Sequence, residues 1–312
     1  MIKSLLLSFL VLVPAIGTAQ GRPSVSWTPS HVVQGKVVHI TVEPDSASSA
    51  GALDSTLEIS GMLAEEPLHF VAGTKGRFHA LGAIPIDADD SLALTIIIIS
   101  KTVDNDTVTI ALPVARGSYH LQKLRVAPEF GREPDSALAA RIAAETDRAM
   151  AVSRAAHDSP PLWQGAFLRP RGSRITSGFG HGREFNGTVQ SRHMGVDLAG
   201  SAGAPVRASN RGVVALVDRF YLGGNVVYID HGGGLVTGYF HLRETAVAMG
   251  DTVRPGQLIG RVGSTGRVTG PHLHWIARYG SITVDPLSLI ALDSPPSSRP
   301  KTKKRGSKQR QN

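Results

Sequence analysis

The chain alternates between two hydrophobic rhythms. From about Ser24 to Val114, runs such as "KVVHITVEP", "STLEISGML", "RFHALGAIPI", "LALTIIIIS" and "DNDTVTIALPV" alternate or cluster β-branched residues between turn formers. Short strands at this spacing predict a β-sandwich, immunoglobulin-like in shape. The four isoleucines Ile96–Ile99 are too few to span a bilayer and fit a buried strand. The rhythm then changes. "REPDSALAARIAAETDRAMAVSRAA" is rich in alanine and has no internal glycine or proline. Leu138, Ile142, Ala149 and Val152 fall near one face, and Asp135 or Ser136 can cap the start. A helix is expected over about 136–155, inside a connector of 116–160. From about Leu162 to Leu292 short strands and many glycines return. "NVVYID", "HGGG" and "LVTGYFHL" read as a hairpin with a glycine-rich turn. With almost no helical periodicity there, a mainly antiparallel β-domain is expected over 161–292. The fold class is therefore mainly β throughout.

The two ends differ from the body. Lys3, the apolar run Leu5–Ile16 and the small residues Gly17 and Ala19 fit a signal peptide over residues 1–19. Twelve apolar residues are too short to cross about 30 Å of hydrocarbon. The expectation is an exported protein of the periplasm or cell envelope, or a secreted one, that does not span the membrane. Seven of the last 14 residues are basic, from Arg299 to Arg310. They account for most of the +8 net charge, because the remainder holds 26 basic against 25 acidic groups. Residues 293–312 read as a disordered basic tail, solvated or drawn to an anionic surface. Nucleic acid is not an expected partner of an exported chain.

There are no cysteines. Disulfides, thiolate ligands and a thiol nucleophile are excluded, and any zinc site must use His, Asp and Glu. HExxH and GxSxG are also absent, which removes the helical zincin arrangement and the nucleophile elbow.

Six of the 12 histidines lie between His181 and His274. "HMGVD" sets His193 four residues before Asp197, and "HLH" contains His272 and His274. Either pattern alone carries little weight in a chain with this many histidines. Strand geometry adds something: His272 and His274 share a face, with Leu273 and Trp275 on the other. Tyr239 and His241 also share a face by the same alternation, so two aligned strands would bring three imidazoles together. Zinc catalysis uses three protein ligands and one open position. Two neutral imidazoles and one carboxylate would leave the ion a local charge of +1, able to polarise a carbonyl and acidify a water. Only one of the His-x-His pair need be a ligand.

Taken together, "RGSRITSGFG", "HMGVDLAGSAGAPVRASNRGVV", "GNVVYIDHGGGLVTGYFHL", "GDTVRPGQLIGRVGSTGRVTGPHLHW" and "VDPLSLI" resemble the lysostaphin-type (LytM-like) zinc metallopeptidases of bacterial cell walls. The resemblance runs over about 163–289. It implies a peptidoglycan endopeptidase with one Zn²⁺ per chain, held by His193, Asp197 and His274. It implies that His241 and His272 are the two non-ligand catalytic histidines, their division of labour left open. It sets Tyr239 at the Tyr-x-His position as a cleft-lining candidate, and Phe240 where a smaller residue is common. The substrate implied is a stem or cross-link peptide of peptidoglycan. The alternative is a catalytically silent, wall-associated scaffold or an activator of another hydrolase. That alternative predicts lost site residues, and none is lost. His31, His39, His69 and His79 are read as structural, as is His231. His120 and His157 lie in connectors, His181 has no assigned role, and Asp230 and Asp285 read as turn-bonding residues.

Overall fold

The computed structural model describes residues 23–44, 57–99, 105–187 and 189–292. The leader at 1–19 and the basic tail at 293–312 lie outside the described residues. β-branched alternation builds the first half from β1 (Ser24–Thr28), β2 (Val37–Glu43), β3 (Glu58–Leu63), β4 (Glu66–Pro67), β5 (Val71–Ala72), β6 (Phe78–Ala83), β7 (Ser91–Ile99) and β8 (Asp106–Pro113). They form two antiparallel sheets, ordered β1-β2-β6-β5 and β4-β3-β7-β8. Val38, Ile40 and Val42 of the first sheet share one core with Leu63, Leu94, Ile96 and Ile98 of the second. The isoleucine run buries one face only: Ile96 and Ile98 point in while Ile99 is exposed. The sandwich expected from the alternation is present.

The connector contributes β9 (Leu121–Leu124) and α1 (Ser136–Ala155). Asp135 caps α1, its side chain accepting from the Leu138 amide at 2.8 Å. The helix sets Ala149 and Val152 against Phe220, Val226, Tyr228 and Ile276 of the second domain. Arg148 fixes it further by pairing with Asp218, and Glu145 accepts from the Tyr221 amide.

The second domain comprises β10 (Ile175–Ser177), β11 (Gly182–Phe185), β12 (Val189–Arg192), β13 (Val196–Ala199), β14 (Pro205–Arg207), β15 (Gly212–Phe220), β16 (Gly224–Asp230), β17 (Leu235–Thr245), β18 (Thr252–Val253), β19 (Leu258–Val262), β20 (His272–Tyr279) and β21 (Ile282–Val284). The main path runs β10-β13-β20-β17-β16-β15-β18, all antiparallel. A three-stranded sheet, β12-β11-β9, stands beside it, and there the connector strand β9 pairs in parallel with β11. Trp275, Tyr239, Leu273, Val196 and Leu198 fill the core behind the main sheet. Each such side chain contributes roughly 1.5–3 kcal/mol by leaving water. A short helix, α2 (Pro286–Ala291), closes the domain, with the Asp285 side chain accepting from the Leu287 amide. Six residues are too few to show helical periodicity, which is why the pattern did not predict it.

The sandwich docks on this domain through buried contacts. Val37, Leu81 and Ala83 join Leu235, Ala277, Tyr279 and Val284 in one cluster. The Tyr279 hydroxyl donates to the Pro67 carbonyl at 2.8 Å.

Candidate metal centre

The central row of the main sheet positions the chemistry. Asp197 on β13 lies directly across from His274 on β20, and His274 across from Phe240 on β17. The next row, Val196–Trp275–Tyr239, faces the core. β13 and β20 approach so closely that a Cβ at Gly195 would sit 2.6 Å from both His274 Cε1 and the Trp275 carbonyl. The glycine of "HMGVD" is therefore required sterically. It also lets the chain bring His193, four residues before Asp197, over the same spot.

There three ligand atoms converge. His193 Nε2 lies 3.0 Å from Asp197 Oδ1 and 2.9 Å from His274 Nδ1. His274 Nδ1 lies 2.8 Å from Asp197 Oδ1. Tetrahedral ligands about zinc at 2.0–2.1 Å stand roughly 3.3 Å apart, a few tenths of an ångström wider than these edges. The protonation pattern is decisive. His193 Nδ1 lies 2.6 Å from the Gly178 carbonyl, which can only accept. Nδ1 therefore carries the proton and Nε2 presents a lone pair to the carboxylate. In its neutral form His193 thus meets the Asp197 carboxylate acceptor to acceptor, an arrangement that a cation resolves. The donor set, two imidazoles and a carboxylate, fits zinc. Arg183, paired with the second oxygen of Asp197, favours its ionised form. Burial pushes His274 down to about 4, against the pull of Asp197.

His241 and His272 adjoin this cluster. His272 Nδ1 donates to the Gly270 carbonyl at 2.8 Å, and His241 Nδ1 to the Thr265 carbonyl at 2.8 Å. In the neutral ring this puts the proton on Nδ1 and leaves Nε2 as the acceptor. That of His272 lies 3.6 Å from Asp197 Oδ1. The His241 ring centroid lies 5.1 Å from that of His272 and 5.9 Å from that of His274. Burial, then the charges of His274 and His272, hold the His241 pKa well below its ordinary value.

Two expectations about β17 need correcting. Strict alternation would give Tyr239 and His241 one shared face, and it does not hold. His241 adopts φ = 61°, a left-handed conformation uncommon outside glycine. The strand alternation breaks there, so Phe240 and His241 both line the cleft while Leu242 returns to the core. Tyr239 does not line the cleft. It is fully buried behind the sheet, and its hydroxyl lies 2.9 Å from Ser209 Oγ and from Thr237 Oγ1. Phe240 takes the cleft position, its edge against the His274 ring at 5.1 Å.

Sequence reasoning also missed the outer support. Arg183 on β11 donates to Asp197 Oδ2 and to Ser177 Oγ, and Ser177 in turn meets His193 Nδ1 at 3.2 Å and Gln122 of β9 at 2.9 Å. Gln122 is 55 residues distant from Ser177, and no local spacing announces such a contact. Other residues weighed from the sequence are occupied elsewhere. His231 is buried between the Arg211 carbonyl and Thr237, and burial pushes it down to about 4. His181 accepts from the His120 amide. Asp230 accepts from the Gly232 amide in its turn.

Residues 191–286 match the family model for Peptidase family M23. This chain carries a Peptidase family M23 domain. Over 123 residues, 39% of the chain, the M23 domain is 45% identical to the "DD-carboxypeptidase/endopeptidase Mpg" of Neisseria meningitidis, covering 28% of that protein. Over 103 residues, 33% of the chain, it is 42% identical to the "Peptidoglycan DD-endopeptidase ShyC" of Vibrio cholerae, covering 24% of it. The chain thus spans about a quarter of the length of these curated relatives. A Pseudomonas aeruginosa crystal structure described as a peptidase M23 aligns with 83% of this chain and 94% of its own, at a TM-score of 0.61 and 24% identity. That likeness covers the fold of the sandwich together with the M23 domain.

Proposed function

We propose that this protein is an exported zinc endopeptidase that hydrolyses peptide bonds in the stem or cross-link peptides of peptidoglycan. One observation carries the reading: ligand atoms of His193, Asp197 and His274 converge, with the imidazoles of His241 and His272 beside them. The curated relatives named as endopeptidases support the substrate class. His193, Asp197 and His274 would hold the zinc. When bound, it would supply Lewis-acid polarisation of a peptide carbonyl and acidify a water.

The chain's own residues do the rest. As neutral rings donating from Nδ1, His241 and His272 each keep Nε2 free to take a proton from a water in the cleft. Once protonated, the same nitrogen can donate to the developing oxyanion or to the departing amine. The Thr265 and Gly270 carbonyls keep both rings in the required tautomer. Arg183 orients Asp197 through its second oxygen, and Ser177 steadies His193. Among the described residues no helix is long and apolar enough to cross a membrane.

The test is digestion of purified peptidoglycan by the full chain, with and without a chelator, followed by mass analysis of the products. New amine and carboxyl termini that disappear with chelator are expected. Tight binding to the wall polymer with no new termini would instead support a silent scaffold.

A further inference from the structure

The cleft carries more positive charge than the His–Asp cluster needs. Arg174, Arg183 and Arg267 line a pocket of about 330 Å³ on the Asp197 and His272 side. Arg183, Arg192 and Arg267 line a second, of about 190 Å³, on the His193, His241 and His274 side. Arg183, Arg267 and Phe185 line both, so they stand at the divide. Among the described lining residues Asp197 is the one carboxylate, and its oxygens are already taken by Arg183, His193 and His274.

Most of these arginines are accounted for. Arg183 gives its Nη2 to Asp197 and Ser177, while its Nε is buried without a hydrogen-bond partner. Arg174 and Arg192 are exposed and solvated. Arg267 differs. Its amide donates to the Leu222 carbonyl, which fixes the loop. Its guanidinium lies 4.1 Å over the Phe185 ring, and among the described residues it has no hydrogen bond and no ion pair. Burial and then the like charge of Arg183 lower its pKa to about 10. A half-desolvated cation beside a like charge is costly unless an anion meets it, and stacking on one ring offsets only part of that cost. The planar fork of a guanidinium matches a carboxylate in two hydrogen bonds.

We propose that Arg267, seated on Phe185 at the divide between the two pockets, binds a carboxylate of the substrate peptide beside the scissile bond. The proposal rests on the hydrolytic reading of the His–Asp cluster. It narrows the substrate to acid-bearing peptides and disfavours bridges of neutral residues such as glycine. The carboxylate can come from within the peptide, on a side chain or left free by an isopeptide link, or from the peptide's own terminus.

The experiment compares three synthetic stem peptides with the zinc-loaded full chain: all carboxylates free, the internal carboxylates amidated, and the terminus amidated. kcat and KM are measured for wild type, R267Q and R267K, with Tm as a check on folding. In the wild type, amidating the recognised group lowers kcat/KM about 10–100-fold, the worth of a charge-assisted pair, chiefly through KM. Which amide does so identifies the source. In R267Q the ratio between free and amidated peptide falls to within about 3-fold, and R267K, which keeps the charge but loses the fork, lies between. If R267Q does not fold, R267K carries the test and must discriminate less than wild type. Equal cleavage of all three peptides by wild type, or an unchanged ratio in the variants, overturns the proposal and leaves the hydrolytic reading standing. Cleavage of none overturns that reading and the proposal with it.

Discussion

Two histidine–carboxylate clusters in this protein share a composition and differ in what their nitrogens face. At the interface between the sandwich and the M23 domain, His69 Nε2 meets His157 Nδ1 at 2.7 Å, and His157 Nε2 meets Glu66 Oε2 at 2.9 Å. Glu66 Oε1 accepts from both the amide and the hydroxyl of Ser281. Along this chain each proton has an acceptor: His69 donates to His157, and His157 donates to Glu66. Nothing is left over for a cation. At the M23 centre the Gly178 carbonyl takes the His193 proton away from the cluster, so that His193 Nε2 and Asp197 Oδ1 confront each other as acceptors. The difference teaches that a metal site is recognised by the direction of its protons. Closeness and residue type are common to both clusters. One cluster is a closed hydrogen-bond chain that joins two domains, and the other gathers three ligand atoms in an arrangement suited to a cation.

Removing a converging atom should have the largest effect. His274→Ala and Asp197→Asn are each expected to cost more than the roughly 100-fold in zinc affinity typical of an outer-support change, with loss of cleavage, measured by metal analysis after dialysis. Retention of stoichiometric zinc by either variant would break the contrast between the clusters. Next come the proton movers. His241→Ala and His272→Ala should each lower kcat by about 10²–10⁴ while zinc content stays near one per chain. Full activity of His272→Ala would sink its assigned role. Arg183→Met, which strips the second oxygen of Asp197 of its partner, should weaken zinc binding by about 10–100-fold, read from competition with a chelator.

The sequence made some of this visible. Period-two alternation gave the sandwich strands and the face shared by His272 and His274, because pleating forces it. The alanine-rich stretch capped by Asp135 became α1. Alternation misled at Tyr239 and His241, because one left-handed residue interrupts the period and no propensity marks a histidine as left-handed. Arg183 and Gln122 reach the centre through the small β9–β11–β12 sheet, whose parallel pairing joins segments some 60 residues apart. The interface cluster was equally hidden. Glu66 and His157 are 91 residues apart and meet only because two domains dock.

The smallest expected effect makes the sharpest test, because one chemical change can be made in both clusters. Glu66→Gln replaces an acceptor oxygen facing His157 with an amide donor. The chain can absorb this by reversing. His157 then accepts at Nε2, donates from Nδ1 to His69 Nε2, and His69 carries its proton on Nδ1. The remaining oxygen still accepts from Ser281. The cost should be about 1 kcal/mol, the net worth of one hydrogen bond, which lowers Tm by roughly 4–8 °C in a sandwich of this size. Zinc content should not change, and the drop in Tm on adding chelator should match that of wild type. Asp197→Asn cannot be absorbed in the same way. The tautomer of His193 is pinned by Gly178, so that no reversal is open to it, and the amide supplies neither the charge nor the second acceptor that the cluster presents to a cation. A Glu66→Gln protein that loses zinc would show that the interface chain and the M23 centre are coupled, and would remove the distinction between a closed chain and an open one.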